Sequence, residues 1–160
     1  MPTALNSFIS IDEAQNCPMY CSHSEASAYA KYHGKRLPTE AEYMRAAYGF
    51  PEESLAQFQN TEKKHPWGNE DPVPGYHGNF NFYSWAPGPV GAYPDGRSAW
   101  GIYELVGNGW EWTSTVFQGL PGFEKTIPSY EGYSADFFDG HHYVMLGASW
   151  VRNFWKLFKK

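Results

Sequence analysis

The amino-acid sequence predicts one α+β domain built largely from ordered loops. Two helical patterns with recognisable ends lie between residues 22 and 49. Strand-like runs occur only within residues 100–115 and 142–150, and Gly, Pro and aromatic residues crowd much of the rest. A chain of 160 residues is long enough for one domain with its own core. With 19% Phe, Trp and Tyr, that core must be aromatic, and buried ring O–H and N–H groups need partners. The 16 Gly and 12 Pro favour turns over long regular elements.

Residues 1–20 read as an extended lead-in broken by Pro2 and Pro18. "SHSEASAYAKYHG" reads as a helix: Ser22 and Glu25 have capping-box spacing, Ala26, Tyr29 and Ala30 share a face, and Gly34 ends the run. "LPTEAEYMRAAYG" reads as a second helix, with Thr39 as N-cap, Glu42 reaching back, Tyr43, Ala46 and Ala47 at helical spacing, and Gly49 as the stop. "FPEESLAQFQNTEKK" is polar and fits a short helix or a loop. Residues 65–100 form a long irregular stretch whose Trp and Tyr content argues against disorder. "WGIYELVGNGWEWTST" holds a short apolar run and then alternates as a strand does. Residues 118–142 read as loop, and "HYVMLGASW" as a strand. No internal repeat or low-complexity tract is present.

The net charge of −5 gives no reason to expect nucleic acid or an anionic membrane as partner. No stretch is long and apolar enough to span a bilayer, and "MPTALNSFISIDEAQ" lacks the basic and apolar regions of a secretory signal. Two cysteines, Cys17 and Cys21, make no disulfide framework, which points to a reducing, cytoplasmic setting.

Histidines 23, 33, 65, 77, 141 and 142 show no His-x-x-x-His spacing, so each reads first as a structural or exposed residue. Cys17 and Cys21 are interrupted by Pro18 and read as buried or half-buried thiols. The nonapeptide "GNGWEWTST" carries a carboxylate, Glu111, between two indoles. Two readings stand side by side. Asn108, the Gly109 carbonyl and Glu111 offer the mixed oxygen set that suits Ca²⁺. Alternatively, Asn108 and Gly109 make a turn and Glu111 staples loop amides. No nucleophile elbow, phosphate-binding loop or dinucleotide fingerprint appears.

"GKRLPTEAEYMRAAYG", "WGNE", "PVGAYPDGRSAWGIYELVGNGWEWTST" and "YSADFFDGHHYVMLGASW" follow one another in that order. Over residues 15–150 the chain resembles the formylglycine-generating-enzyme/sulfatase-modifying-factor family. Within it, "YSADFFDGHHYV" and "NGWEWTSTVF" are most similar to the C-terminal domain of EgtB-type sulfoxide synthases of ergothioneine biosynthesis. The resemblance implies a C-type-lectin-like fold: two helices, small twisted antiparallel sheets and long ordered loops. Residues 21–150 would form that domain and residues 151–160 a divergent basic-aromatic tail. It implies Fe(II) and O₂ chemistry joining a thiol, cysteine or γ-glutamylcysteine, to hercynine as a sulfoxide. "PSYEGYSADFF" matches the family's tyrosine loop, so Tyr130 takes the part of the catalytic proton donor beside the iron and Tyr133 its neighbour. Family members also bind structural Ca²⁺ through residues matching Asn108, Gly109 and Glu111.

Three departures bear on activity. The iron ligands of EgtB-type enzymes are three histidines of a DinB-type helical bundle, which this chain does not display, so the expectation is a domain inactive alone. The family's arginine-rich segment and "RNW" motif are reduced here to "GASWVRNFWKLFKK". The copper-binding cysteine pair of formylglycine oxidases lies near their C-terminus, whereas Cys17 and Cys21 lie at the other end. A non-catalytic lectin-like binding module is the alternative reading, and a formylglycine oxidase the third.

Overall fold

A computed structural model of the chain describes residues 10–51, 63–123 and 135–151. Its elements run α1 (Ile11–Ala14), α2 (His23–Tyr32), α3 (Glu40–Tyr48), β1 (Trp110–Val116) and β2 (Tyr143–Gly147), with 3₁₀ turns at Pro94–Gly96 and Ala135–Phe137. Among the described residues the α+β expectation holds: they form two helices of real length and one two-stranded sheet, joined by loops. Phe117 N donates to His142 O while Gly107 N donates to Ala148 O, so the partner index falls as the other rises and the pair is antiparallel. Among the described residues no helix is long and apolar enough to cross a bilayer.

The lead-in is not wholly extended. Residues 11–14 close one helical turn, with Ala14 N on Ser10 O and Cys17 N on Ala14 O, before Pro18 removes the next donor. The chain has two compact units. Among the described residues, one comprises those up to Tyr20, Ala41–Glu111 and those from Gly147 on. The other comprises Cys21–Glu40 and Trp112–Leu146.

In the first unit α3 buries Tyr43 and Ala47, one turn apart on one face. Phe80, Val106 and Ala148 form the core, with Trp67 packed against them. Burying a Phe side chain stabilises a fold by about 2 kcal/mol, and here it comes from a segment without regular strands. That segment holds its course through tight local bridges, His65 with Gly68 and Pro74 with Gly78.

In the second unit the capping box at α2 is complete: Glu25 N donates to Ser22 Oγ, and Ser22 N donates to Glu25 Oε2 at 2.8 Å. His23 stacks on Tyr143 at 3.6 Å, and its Nε2 lies 3.0 Å from the Thr113 carbonyl, which can only accept, so that nitrogen carries the proton. Thr113 is fully buried and donates to Val144 O at 2.8 Å. Thr115 Oγ1 accepts from Glu40 N at 2.9 Å, so β1 satisfies the first amide of α3.

The run "WGIYELV" is not strand. Glu104 and Asn108 both sit at positive φ, and these reversals confine the strand to Trp110 onward. Within β1 the alternation is inverted relative to polarity. Trp110 is 39% exposed, whereas Glu111 lies inside, on the same side of the pleat as buried Thr113.

Candidate functional site

The densest polar arrangement in the first unit is centred on Asn108. Gly107, Asn108 and Gly109 turn the chain into β1, and Asn108 takes φ +56, a conformation Asn tolerates better than most residues. Its side chain is 1% exposed, which requires all of its hydrogen-bonding capacity to be met. It is met. Oδ1 accepts from Asn79 Nδ2 at 3.0 Å and from Gly88 N at 2.9 Å. Nδ2 donates to Glu104 Oε2 at 2.9 Å and to Gly88 O at 3.3 Å. The Asn108 carbonyl accepts from the Tyr20 hydroxyl at 2.7 Å and from Trp150 N at 3.2 Å. Asn79, itself fully buried, accepts Asn108 N on its carbonyl and donates to Ala86 O at 2.8 Å. One asparagine thus joins the lead-in, the 79–88 loop, Glu104 and the residues after β2.

Two carboxyls flank this node. Glu104 is held at φ +60, a strained backbone for a side chain of its size. Its Oε1 is buried without a hydrogen-bond partner. Burial pushes its carboxyl up, against the pull of the Gly91 and Tyr93 amides. Glu111 is the stronger case: burial pushes it up to about 8, in spite of contacts with Tyr43 and its own amide, and the charge of Glu104 adds to the rise.

Tyr43 has one proton and two neighbours. Its hydroxyl lies 2.5 Å from Leu105 O and 3.4 Å from Glu111 Oε2. The shorter contact takes the phenolic proton, because a carbonyl can only accept. The long contact to Glu111 Oε2 is then weak, and burial outweighs it in raising the Glu111 carboxyl. Gly147, at φ +91, covers the other side, and a Cβ there would overlap Glu111 Oε2. Burial likewise raises Tyr43 and Tyr20, and the Glu111 charge adds to both.

Against calcium, the donor set at Asn108, Gly109 and Glu111 fits in part. Glu111 is a carboxyl short of partners, but both acceptor positions of Asn108 Oδ1 are taken by N–H donors.

The sequence singled out Asn108 and Glu111, and both belong to the site. Tyr20, Tyr43, Asn79 and Glu104 were not singled out for it. Only Tyr43 left a signal, as an apolar-face residue of α3. Tyr130 and Tyr133 lie outside the described residues. Of the histidines, His65 and His77 are buried and stack on Trp67 at 4.9 and 4.4 Å, while His33, His141 and His142 are exposed. The exposed His142 Nδ1 lies 3.0 Å from Asp139, whose carboxyl is lowered to about 2, first by that contact and then by the His141 amide. Cys17 and Cys21 are half-buried thiols. Among the described residues, no three His, Cys, Asp or Glu are grouped to hold a metal ion.

These features define a loop-rich α+β domain organised around a Gly-Asn-Gly turn and an inward carboxyl. The chain belongs to the family of sulfatase-modifying factor enzyme 1-like domains, which it matches over residues 3–159. It is similar to the hercynine oxygenase of Mycobacterium tuberculosis, with 40% identity over 132 residues, covering 82% of this chain and 29% of that protein. It is also similar to the hercynine oxygenase of Mycolicibacterium smegmatis, 39% identical over 79% of this chain and 28% of that protein. The bovine protein named inactive C-alpha-formylglycine-generating enzyme 2 is 33% identical over 83% of this chain and 38% of its own length. The chain therefore spans less than a third of the length of these two hercynine oxygenases.

Proposed function

We propose that the chain is the sulfatase-modifying-factor-like portion of a hercynine oxygenase, with a C-type-lectin-like fold. The single observation that carries this is the 40% identity to a hercynine oxygenase across 82% of the chain. In the reaction proposed, hercynine and a thiol, cysteine or γ-glutamylcysteine, combine with O₂. A ring C–H and an S–H are lost, a C–S bond forms, one oxygen atom goes to sulfur as sulfoxide, and the other leaves as water. O₂ accepts the four electrons released.

The described residues do not offer a ligand set for iron. Any iron is held by residues beyond those described, and a DinB-type bundle is the partner of choice. Tyr130 is proposed as the proton donor and Tyr133 as its neighbour, because a phenol can give up a proton without itself carrying a charge beforehand. Asn108 and Glu111 serve as scaffold. The saturated Asn108 amide and the raised Glu111 carboxyl support a scaffold role over calcium ligation. Two reduced thiols support a cytoplasmic setting.

The test is turnover. The chain is loaded anaerobically with Fe(II), given hercynine and either thiol, exposed to O₂ and assayed for sulfoxide by mass spectrometry. The expected result is none from the chain alone and product when a DinB-type chain is added. Product from the chain alone would overturn the assignment of iron to a partner. A non-catalytic module is the second reading, favoured by the likeness to a relative named inactive. Absence of product in every combination, with the chain folded and the bundle iron-loaded, would select it.

A further inference from the structure

Three aromatic rings of the first unit meet at its surface. Phe82 is 47% exposed and Trp85 64%, and both lie against the half-buried Trp150. The ring centroids are 5.5 Å apart for Phe82 and Trp85, 6.1 Å for Phe82 and Trp150, and 6.4 Å for Trp85 and Trp150. We propose that this triad binds a trimethylammonium group. The inference does not depend on the hercynine-oxygenase reading.

The fold holds these rings in place at a cost. Asn81 and Phe82 take φ +56 and +57 in succession, and a bulky side chain such as Phe is strained there. Burial does not offset that strain, because the Phe82 ring stays half in solvent. The surrounding hydrogen bonds hold it instead. Phe82 N donates to Trp150 O at 2.9 Å, which joins the loop to the residues after β2. Within the loop, Ser84 N donates to Asn79 Oδ1 at 3.2 Å, Asn79 Nδ2 to Ala86 O at 2.8 Å, and Ala86 N to Ser84 Oγ at 3.3 Å. Trp150 is tied at both ends: its backbone N–H donates to Asn108 O at 3.2 Å, and its indole N–H donates to the Tyr20 hydroxyl. Strain retained to display a ring points to use of that ring, and pre-set walls lower the ordering cost of binding.

Ring geometry and charge specify the ligand. No two of the three planes are parallel; they are inclined at 51°, 88° and 60°. Rings so inclined suit a rounded group better than a flat one. Their centroids form a triangle small enough that a cation about 3 Å above it lies within about 5 Å of each, inside the range of cation–π attraction. Residues 78–93, which supply two of the rings, carry no charged side chain. A primary ammonium or a guanidinium would bring N–H donors that need acceptors. A trimethylammonium has no N–H and needs only π faces and apolar contact. The net charge of −5 favours a cation at long range.

The test is a titration of the whole chain with choline at constant ionic strength. Binding is followed by NMR at the Trp85 indole N–H, which Trp85→Phe assigns, and by saturation transfer to the choline methyl protons. A saturable response is expected in both. F82L and W85L keep an apolar side chain but lose a π face, and each should weaken binding at least about fivefold. Circular dichroism confirms that both variants fold. The uncharged analogue of choline, with carbon in place of the quaternary nitrogen, should bind at least about tenfold more weakly. Phosphatidylcholine vesicles separate the two sources of the group: co-sedimentation that W85L abolishes assigns a lipid surface, and choline binding without co-sedimentation assigns a soluble ligand. No saturable response, equal binding of the uncharged analogue, or unchanged affinity in F82L and W85L would overturn the proposal.

Discussion

Replacing Glu111 with Gln tests whether this carboxyl is neutral in the folded protein. Its pKa rises from the ordinary 4.5 to about 8, chiefly through burial. The folded state therefore binds the proton more tightly than the unfolded chain, and between those two values the unfolded state carries fewer protons. Stability from this group is present below about pH 4.5 and is lost as pH rises towards 8. At 1.36 kcal/mol per unit, the shift corresponds to roughly 5 kcal/mol as an upper limit. Gln keeps the shape, stays neutral, and can donate to the Tyr43 oxygen. The variant should match wild type near pH 5 and exceed it by several kcal/mol at about pH 8.5. Urea unfolding of both proteins across this range measures the difference, in which groups common to both cancel. A difference that does not change with pH, or a wild type that gains on the variant as pH rises, would mean that Glu111 is ionised and paired, and the staple account would fail. Added Ca²⁺ gives an independent check: stabilisation of wild type but not of E111Q would restore the calcium reading.

N108D removes two N–H donors and sets a second carboxylate against Glu104, so it should cost about 3–5 kcal/mol in denaturant unfolding; a cost below about 1 kcal/mol would contradict the role given to Asn108. G147A meets both a φ of +91 and the Glu111 oxygen, and should cost about 2–4 kcal/mol. Pairing it with E111A should recover part of that loss, a coupling that a double-mutant cycle reads directly. In a reconstituted sulfoxide-forming system, Tyr130→Phe should change the product distribution seen by mass spectrometry; an unchanged distribution would remove Tyr130 from the chemistry.

What the sequence displayed and what it withheld divide along a physical line. Local signals carried the helices: the Ser22–Glu25 capping box and the glycines at 34 and 49 act over a few residues. The inward placement of Glu111 ran against its alternation with two tryptophans, because the pleat groups it with Thr113 and the indoles fall on the opposite face. Nothing local told which face would be buried. The Tyr43–Leu105 contact spans 62 residues and the Tyr20–Asn108 contact 88, so neither had a pattern to be read from. The strand-like pattern of "WGIYELVGNGWEWTST" holds only for its alternating part, because the positive φ at Glu104 and Asn108 turns the chain before it. Motif order carried the family, since loops of this kind are recognised by their residues more readily than by periodicity.

The most direct measurement replaces the matching stretch of the Mycobacterium tuberculosis hercynine oxygenase with residues 15–150 of this chain and assays sulfoxide formation from hercynine, thiol and O₂. The account predicts that the folded, iron-loaded chimera makes sulfoxide and that Tyr130→Phe within it alters the product. A chimera that folds, holds its iron and makes no product would contradict it.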